Sequence, residues 1–256
     1  MRLGHVVSDL HLYAQRSVAA RHLDTLHEAA ARSSFFVLNG DIFDFRWSRL
    51  GGLNAAMEAG VGWLAELGGR HPHCRFHYVL GNHDAIEPFV RMVRDALPAI
   101  PNLTLHEAIL KVGDSLFLHG DTALHPQAGL GPSSRRLKPT DRVKGRTLSV
   151  LYRAVCASQL HRAVAAVATP RRSARAILRA LHREDGPWLR GVTDIYFGHT
   201  HLPFNNLEVG GYRFHNTGSA IVGMRWNMLP VHARDIAPGD RRQRRRLSRN
   251  MGHTHR

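Results

Sequence analysis

Residues 76–84 read Phe-His-Tyr-Val-Leu-Gly-Asn-His-Asp. The run Phe76–Leu80, rich in aromatic and branched side chains, reads as a β-strand. The four residues after it, Gly81-Asn82-His83-Asp84, bring an amide, an imidazole and a carboxylate to its end. The same arrangement recurs along the chain. Leu3–Val7 leads into Asp9-x-His11, Phe35–Leu38 into Gly40-Asp41, Leu116–Leu118 into His119, and Ile195–Phe197 into Gly198-His199-Thr200-His201. No one of these motifs decides anything, since a histidine after an apolar run is more often a packed or surface residue than a ligand. Their shared context does decide. Strands lying side by side bring their ends to one edge of a sheet, so motifs distant in sequence meet there. Carboxylate, imidazole and amide groups meeting in one place suit a borderline divalent metal rather than calcium or a thiolate-bound metal.

Outward from these motifs, the first hundred residues alternate strand and helix. Helices are expected at 17–32 (Val18, Leu23, Leu26 and Ala30 on one face), at 53–67 (Leu53, Met57, Val61, Leu64 and Leu67), ended by Gly68-Gly69, and at 86–96, closed by Pro98. That alternation implies an α/β layered fold. After Pro101 the texture turns to short β-like runs at Leu103–His106, Ala108–Val112 and Ser115–His119, which points to antiparallel or mixed pairing. A further strand is expected at 193–197. Asn206–Val209 and Tyr212–His215, joined through Gly210-Gly211, read as a hairpin. Together these describe two packed sheets flanked by helices, with a core formed by 1–129 and 191–237.

Between the two parts of the core, 130–190 reads as a basic helical insertion. It opens with a loop rich in Pro, Ser and Gly, followed by a helix at 147–168 that Thr169-Pro170 breaks. A second helix at 173–184 has Ile177, Leu178 and Leu181 on one side and Arg175, Arg179 and Arg183 on another. Such a pair is a packed appendage, a surface for an anionic membrane, or a lid over a phosphate-bearing substrate. The Arg-rich tail, 238–256, lacks apolar periodicity and is expected to be disordered. It repeats Gly252-His253-Thr254-His255, but after Leu247–Met251 rather than after a buried strand, so the upstream copy is taken as the functional one.

Charge follows the same division. Of the net +15 over 256 residues, +12 falls in 133–183 and +6 in 234–256, and the remainder is −3. The motif-bearing body is therefore slightly acidic, and the two basic segments call for an anionic partner. Nucleic acid is a poorer match than a membrane or a small phosphate compound, because the basic segments hold one aromatic residue, Tyr152, for stacking on bases. The cysteines are Cys74 and Cys156, which argues against a disulfide framework. The first strand starts almost at Met1, and no run of about 18 apolar residues occurs. The expectation is a cytoplasmic protein, peripheral on the inner membrane face if the insertion binds lipid.

Two divalent ions about 3.5–4 Å apart activate a water and clamp a phosphoryl centre, and a shared carboxylate is needed to bring them that close. At this point a resemblance can be stated. Asp-x-His, Gly-Asp-x-x-Asp, Gly-Asn-His-Asp, a separate His and Gly-His-x-His, in this order over residues 9–201, resemble the motifs of the calcineurin-like metallophosphoesterases. The resemblance implies a four-layer α/β/β/α sandwich of two mixed sheets, with 130–190 as the lid. It implies that Asp9, His11 and His201 hold one metal, that Asn82, His119 and His199 hold the other, and that Asp41 bridges. It also implies that His83 contacts the phosphate and protonates the leaving oxygen while Asp84 orients it, and that a metal-bridging hydroxide attacks phosphorus. Two divalent ions are implied, with manganese first and iron, zinc, cobalt or nickel as alternatives. Asp44 and Asp121 are read as structural.

Ser8–Leu12, Gly40–Asp44, Trp47 and the basic insertion further resemble the UDP-diacylglucosamine pyrophosphate hydrolase branch, which acts in lipid A synthesis. That branch typically has Arg where this chain has His83. A proton-donating His suits a poorer leaving group, as in a phosphodiester or phosphomonoester. The substrate classes left open are these esters and a lipid-linked or nucleotide-diphospho compound. Two other readings are a nucleic-acid-processing phosphodiesterase or binding protein, and an inactive scaffold. The scaffold would be expected to have lost ligands, and none is missing.

Overall fold

The computed structural model describes residues 2–123, 169–183 and 187–235. The loop opening the insertion, the helix expected at 147–168, the Arg-rich tail and the second Gly-His-Thr-His lie outside the described residues.

The first sheet is built from β1 (Arg2–Val7), β2 (Phe35–Asn39), β3 (Arg75–Val79), β4 (Leu103–His106) and β10 (Leu229–Ala233), in the order β10-β1-β2-β3-β4. The four N-terminal strands run parallel, and β10 joins β1 antiparallel. Three helices make the crossovers: α1 (Leu23–Ala31), α2 (Leu53–Arg70) and α3 (Glu87–Ala96). Their apolar sides meet one face of the sheet in a cluster that includes Leu26, Ala30, Phe36, Leu38, Met57, Leu64, Phe76, Tyr78, Phe89 and Val93. β2, the central strand, is buried along its whole length, as its apolar run Phe35–Leu38 requires.

The second sheet has the order β5-β6-β7-β9-β8, from β5 (Ile109–Val112), β6 (Ser115–Leu118), β7 (Asp194–Phe197), β8 (Phe204–Val209) and β9 (Tyr212–Asn216). It too is mixed: β6, β7 and β9 run parallel, with β5 and β8 antiparallel at its edges. A fourth helix, α4 (Pro170–Arg183), covers its outer face. Ala174, Ile177, Leu178 and Leu181 pack against Leu116, Ile195, Phe197 and Phe214. The inner faces meet through Val6, Phe35, Val37, Val79, Leu110, Phe117, Tyr196 and Val231. The architecture is thus an α/β/β/α sandwich of two mixed sheets.

Side chains also tie the sheets together. At the end of β2 the Asn39 amide donates to the carbonyls of Leu118 (3.0 Å) and Tyr196 (3.3 Å) on the other sheet. At the opposite end the Asp114 carboxylate accepts the Arg234 backbone N–H at 2.9 Å and its guanidinium at 3.2 Å.

Three sequence expectations shift. The helix expected at 17–32 is a 3-10 turn, Ala19–His22, followed by the shorter α1. α2 runs through Gly68-Gly69 to Arg70, because the Asn102 amide caps its end, facing the carbonyls of Gly68, His71 and Cys74 at 3.0–3.1 Å. The helix expected at 173–184 begins at Pro170, which suits the first helical position since it has no N–H to leave unsatisfied. Its apolar side is spent on the second sheet rather than left open to a lipid or substrate.

Candidate metal centre

The loops that follow β1, β2, β3, β6 and β7 converge at one edge of the sandwich. Backbone pairing continues past the ends of the first two strands. Asp9 N–H donates to Gly40 O (3.0 Å), His11 N–H to Asp41 O (3.0 Å) and Leu12 N–H to Ile42 O (2.7 Å). Gly198 N–H donates to His119 O (2.8 Å), and Ala220 N–H to Asp9 O (3.0 Å). Asp9, His11, Asp41, His199 and His201 all sit at positive φ, between 47° and 62°. Asp and His tolerate that region better than most residues, but several in one place is a concentration of backbone strain of the kind functional sites store. Two motif glycines allow the approach. A Cβ on Gly198 would lie 2.2 Å from Asp9 Oδ2, and one on Gly81 would lie 2.3 Å from Asp41 Oδ1.

The convergent side chains form overlapping groups. Asp9, His11 and His201 make one, Asp41, His119 and His199 another, and His11, Asp41 and His83 a third between them; within each, the ligand atoms lie within 4.8 Å of one another. In the first, His201 Nε2 is 3.1 Å from Asp9 Oδ1 and 3.4 Å from His11 Nε2. In the second, His119 Nε2 is 3.2 Å from Asp41 Oδ2 and 3.3 Å from Asn82 Oδ1, and His199 Nδ1 is 2.9 Å from the same amide oxygen. The sequence-read ligands Asp9, His11, Asp41, Asn82, His119, His199 and His201 thus share one pocket.

The donor chemistry of this pocket fits cations. His119 Nδ1 faces the Asn39 carbonyl at 3.3 Å, so that nitrogen carries the hydrogen and Nε2 turns a lone pair towards the oxygens of Asp41 and Asn82. Lone pairs facing lone pairs need a positive charge among them. Burial would lower the pKa of His119, but the Asp41 and Asp121 carboxylates raise it well above the usual histidine range. Burial, then neighbouring histidines, push His11 and His199 down to about 4, so both are neutral at pH 7, the form a metal would need. His11 Nδ1 and His199 Nε2 are buried without a hydrogen-bond partner.

Asp9, Asp41 and His119 are almost wholly enclosed, whereas the side chains of His83, His201 and His199 keep 31%, 26% and 14% of their exposure, so these three border the open side. The partner of His83 differs from the sequence reading. Asp84 was expected to orient it, but the two oxygens of Asp84 accept backbone N–H groups, Gly81 at 2.7 Å and Ile42 at 2.8 Å, and so brace the loops. The carboxylate at the ring is Asp44, with Oδ1 3.4 Å from His83 Nδ1. Burial alone would lower the pKa of His83, but Asp44 and Asp41 raise it to about 10. Asp44 also accepts the backbone N–H groups of Arg46 and Trp47, the loop role expected of it. Its second role had one signal in the sequence, its place three residues after Asp41.

Comparison with known proteins agrees with this chemistry. The profile of the calcineurin-like phosphoesterase family matches residues 5–203, and the chain belongs to that family. The family is typically one of metal-dependent phosphoester hydrolases. No curated protein sequence matches significantly. Among solved structures, a dimetal phosphatase from Danio rerio is 12% identical, covers 86% of this chain and 88% of its own, and superposes with a TM-score of 0.47.

Proposed function

We propose that the protein hydrolyses a phosphate ester with two divalent cations, Asp9, His11 and His201 holding one, Asn82, His119 and His199 the other, and Asp41 lying between. The observation that carries this reading is the second group, in which nitrogen and oxygen acceptors face each other at 2.9–3.3 Å around Asn82 Oδ1. Bound there, two cations would supply an activated water and offset charge on the phosphoryl oxygens. His83, on the open side, would give its proton to the leaving oxygen. Asp44 would hold the ring and keep it protonated, and Asp84 would fix the loop that carries it. Imidazole and carboxylate donors admit manganese, iron, zinc, cobalt or nickel without choosing among them, and manganese is the ion to try first. The test is hydrolysis of bis-(p-nitrophenyl) phosphate by the purified protein with manganese, abolished by EDTA. No turnover with any of these metals would sink the reading.

The proton donor bears on the substrate. A phosphodiester or phosphomonoester with a poor leaving group gains from His83, whereas a nucleotide-diphospho lipid, whose leaving group is already good, gains little. The pyrophosphate reading of lipid A synthesis also leaned on a lipid-receiving lid, and the described part of that segment, α4, turns its apolar side to the second sheet. A panel of a nucleotide-diphospho lipid, a diester, a monoester and an oligonucleotide separates these substrates. The outer side of α4 carries Arg171, Arg172, Arg175 and Arg179, all exposed, and no acid. It favours an anionic surface such as a membrane as a partner, bound by charge alone. No described helix is long and apolar enough to cross a membrane.

A further inference from the structure

Directly after His119 the chain enters a 3-10 turn, Asp121–Ala123, whose first residue is buried, 4% exposed. Its carboxylate faces the second group of the pocket. Asp121 Oδ1 lies 3.6 Å from His119 Nε2 and 3.8 Å from His199 Nδ1. These two nitrogens are the ones that approach Asn82 Oδ1, at 3.3 and 2.9 Å, and His119 Nε2 also approaches Asp41 Oδ2, at 3.2 Å. Donors about 2.1 Å from a shared cation stand roughly 3–3.5 Å apart. The separations to Asp121 are only slightly wider, so a small closure of its side chain joins it to the same centre. The sequence motifs do not include this residue.

We propose that Asp121 is a further acidic donor to the second cation position, an inference that rests on the two-cation reading above. The first position has one carboxylate of its own, Asp9, and two imidazoles. The second, without Asp121, has two imidazoles and an amide and depends on shared Asp41 for all its negative charge. Asp121 brings the two positions to equal charge and raises the number of oxygen donors at the second. Oxygen-rich spheres favour harder ions, so the second position holds manganese or magnesium in preference to zinc.

The experiment is a calorimetric titration of metal-free protein with Mn²⁺, alongside bound metal by elemental analysis and the spin-coupled Mn–Mn signal by electron paramagnetic resonance. Wild type is expected to take up two equivalents. Asp121→Asn, near-isosteric, is expected to keep one equivalent at wild-type affinity, to weaken the other about 10- to 100-fold and to lose the coupled signal. Asp121→Glu, which keeps the charge, is expected to retain both equivalents, and it covers the case in which Asp121→Asn does not fold. Full retention of both equivalents in Asp121→Asn overturns the proposal, as does equal weakening of the two, which marks a general structural role. If wild type takes up fewer than two equivalents, the two-cation reading itself falls. That result is distinct from a change confined to the variant.

Discussion

At the scale of single residues, the proposed function divides the pocket into groups that would hold cations and groups that would act on substrate. Asp41→Ala is expected to remove bound metal and activity together, because Asp41 belongs to two of the donor groups. His83→Ala should keep the metals and lower kcat by about 100- to 10,000-fold, the usual range for a lost general acid. Elemental analysis beside initial rates distinguishes the two, and loss of metal in the His83 variant would show that the roles are misassigned. Asp44→Asn tests the pairing seen at 3.4 Å. Burial opposes the proton on His83, and Asp44 with Asp41 more than offsets it, raising the pKa to about 10. Removing the Asp44 charge lowers that pKa, so activity that needs protonated His83 should fall off at a lower pH than in wild type. A pH–rate profile with an unmoved alkaline limb would reject the pairing. The meeting of these residues was legible in the sequence because each motif follows a strand closely. The Asp44–His83 pair was not, since which carboxylate reaches a ring depends on how two loops pack.

Among the elements, strand ends and helix ends decide the finer geometry. The Asn102 amide joins the backbone N–H groups of His71 and Cys74 in serving the carbonyls past the two glycines of α2, and Asn102→Ala removes that shared donor. A loss of about 0.5–1.5 kcal/mol is expected in urea unfolding; an unchanged midpoint would show that the backbone donors suffice. On the second sheet, Asp194 of β7 accepts Arg213 of β9 through two bonds of 2.7 and 2.6 Å, and lies 3.0 Å from His215 Nε2. Burial would raise the pKa of Asp194, but hydrogen bonds from His215, Arg213 and Thr193 hold it well below the usual carboxylate range. A carboxyl depressed in the folded state contributes stability above its unfolded pKa of about 4, and that stability is lost as pH falls. The stability gap between wild type and Asp194→Asn should therefore narrow below about pH 5. Midpoints that stay parallel down to pH 3 would contradict it. The helical and strand periods were readable, but the caps were not. Gly68-Gly69 reads as a stop locally, and the residue that overrides it lies over thirty positions away.

For the whole molecule, the alternation of strand and helix in the first hundred residues foretold the α/β layering of the first sheet and its helices. The packing of α4 could not be read in the same way, because an amphipathic helix looks alike whether its apolar side meets a sheet, a membrane or a ligand. The structure gives that side to the second sheet and leaves arginines outward. Binding of the protein to anionic vesicles is therefore expected to depend on charge, weakening steeply between low and high salt. It should also drop in an Arg175→Gln, Arg179→Gln double variant whose melting temperature is unchanged. Equal binding to neutral vesicles would remove the membrane as partner.

The hydrogen bonds that carry β1–β2 pairing onward through Asp9, His11 and Asp41 set those three residues on one rigid jaw. The spacing of its main chain is fixed, as on a ruler, and only short side chains reach from it to the pocket. An ion of different radius must then be met from the opposing jaw, where His199 and His201 sit on the loop after β7, nearer the open side. Exchange of one metal for another should accordingly appear as movement of that loop alone, with the first two motifs standing still.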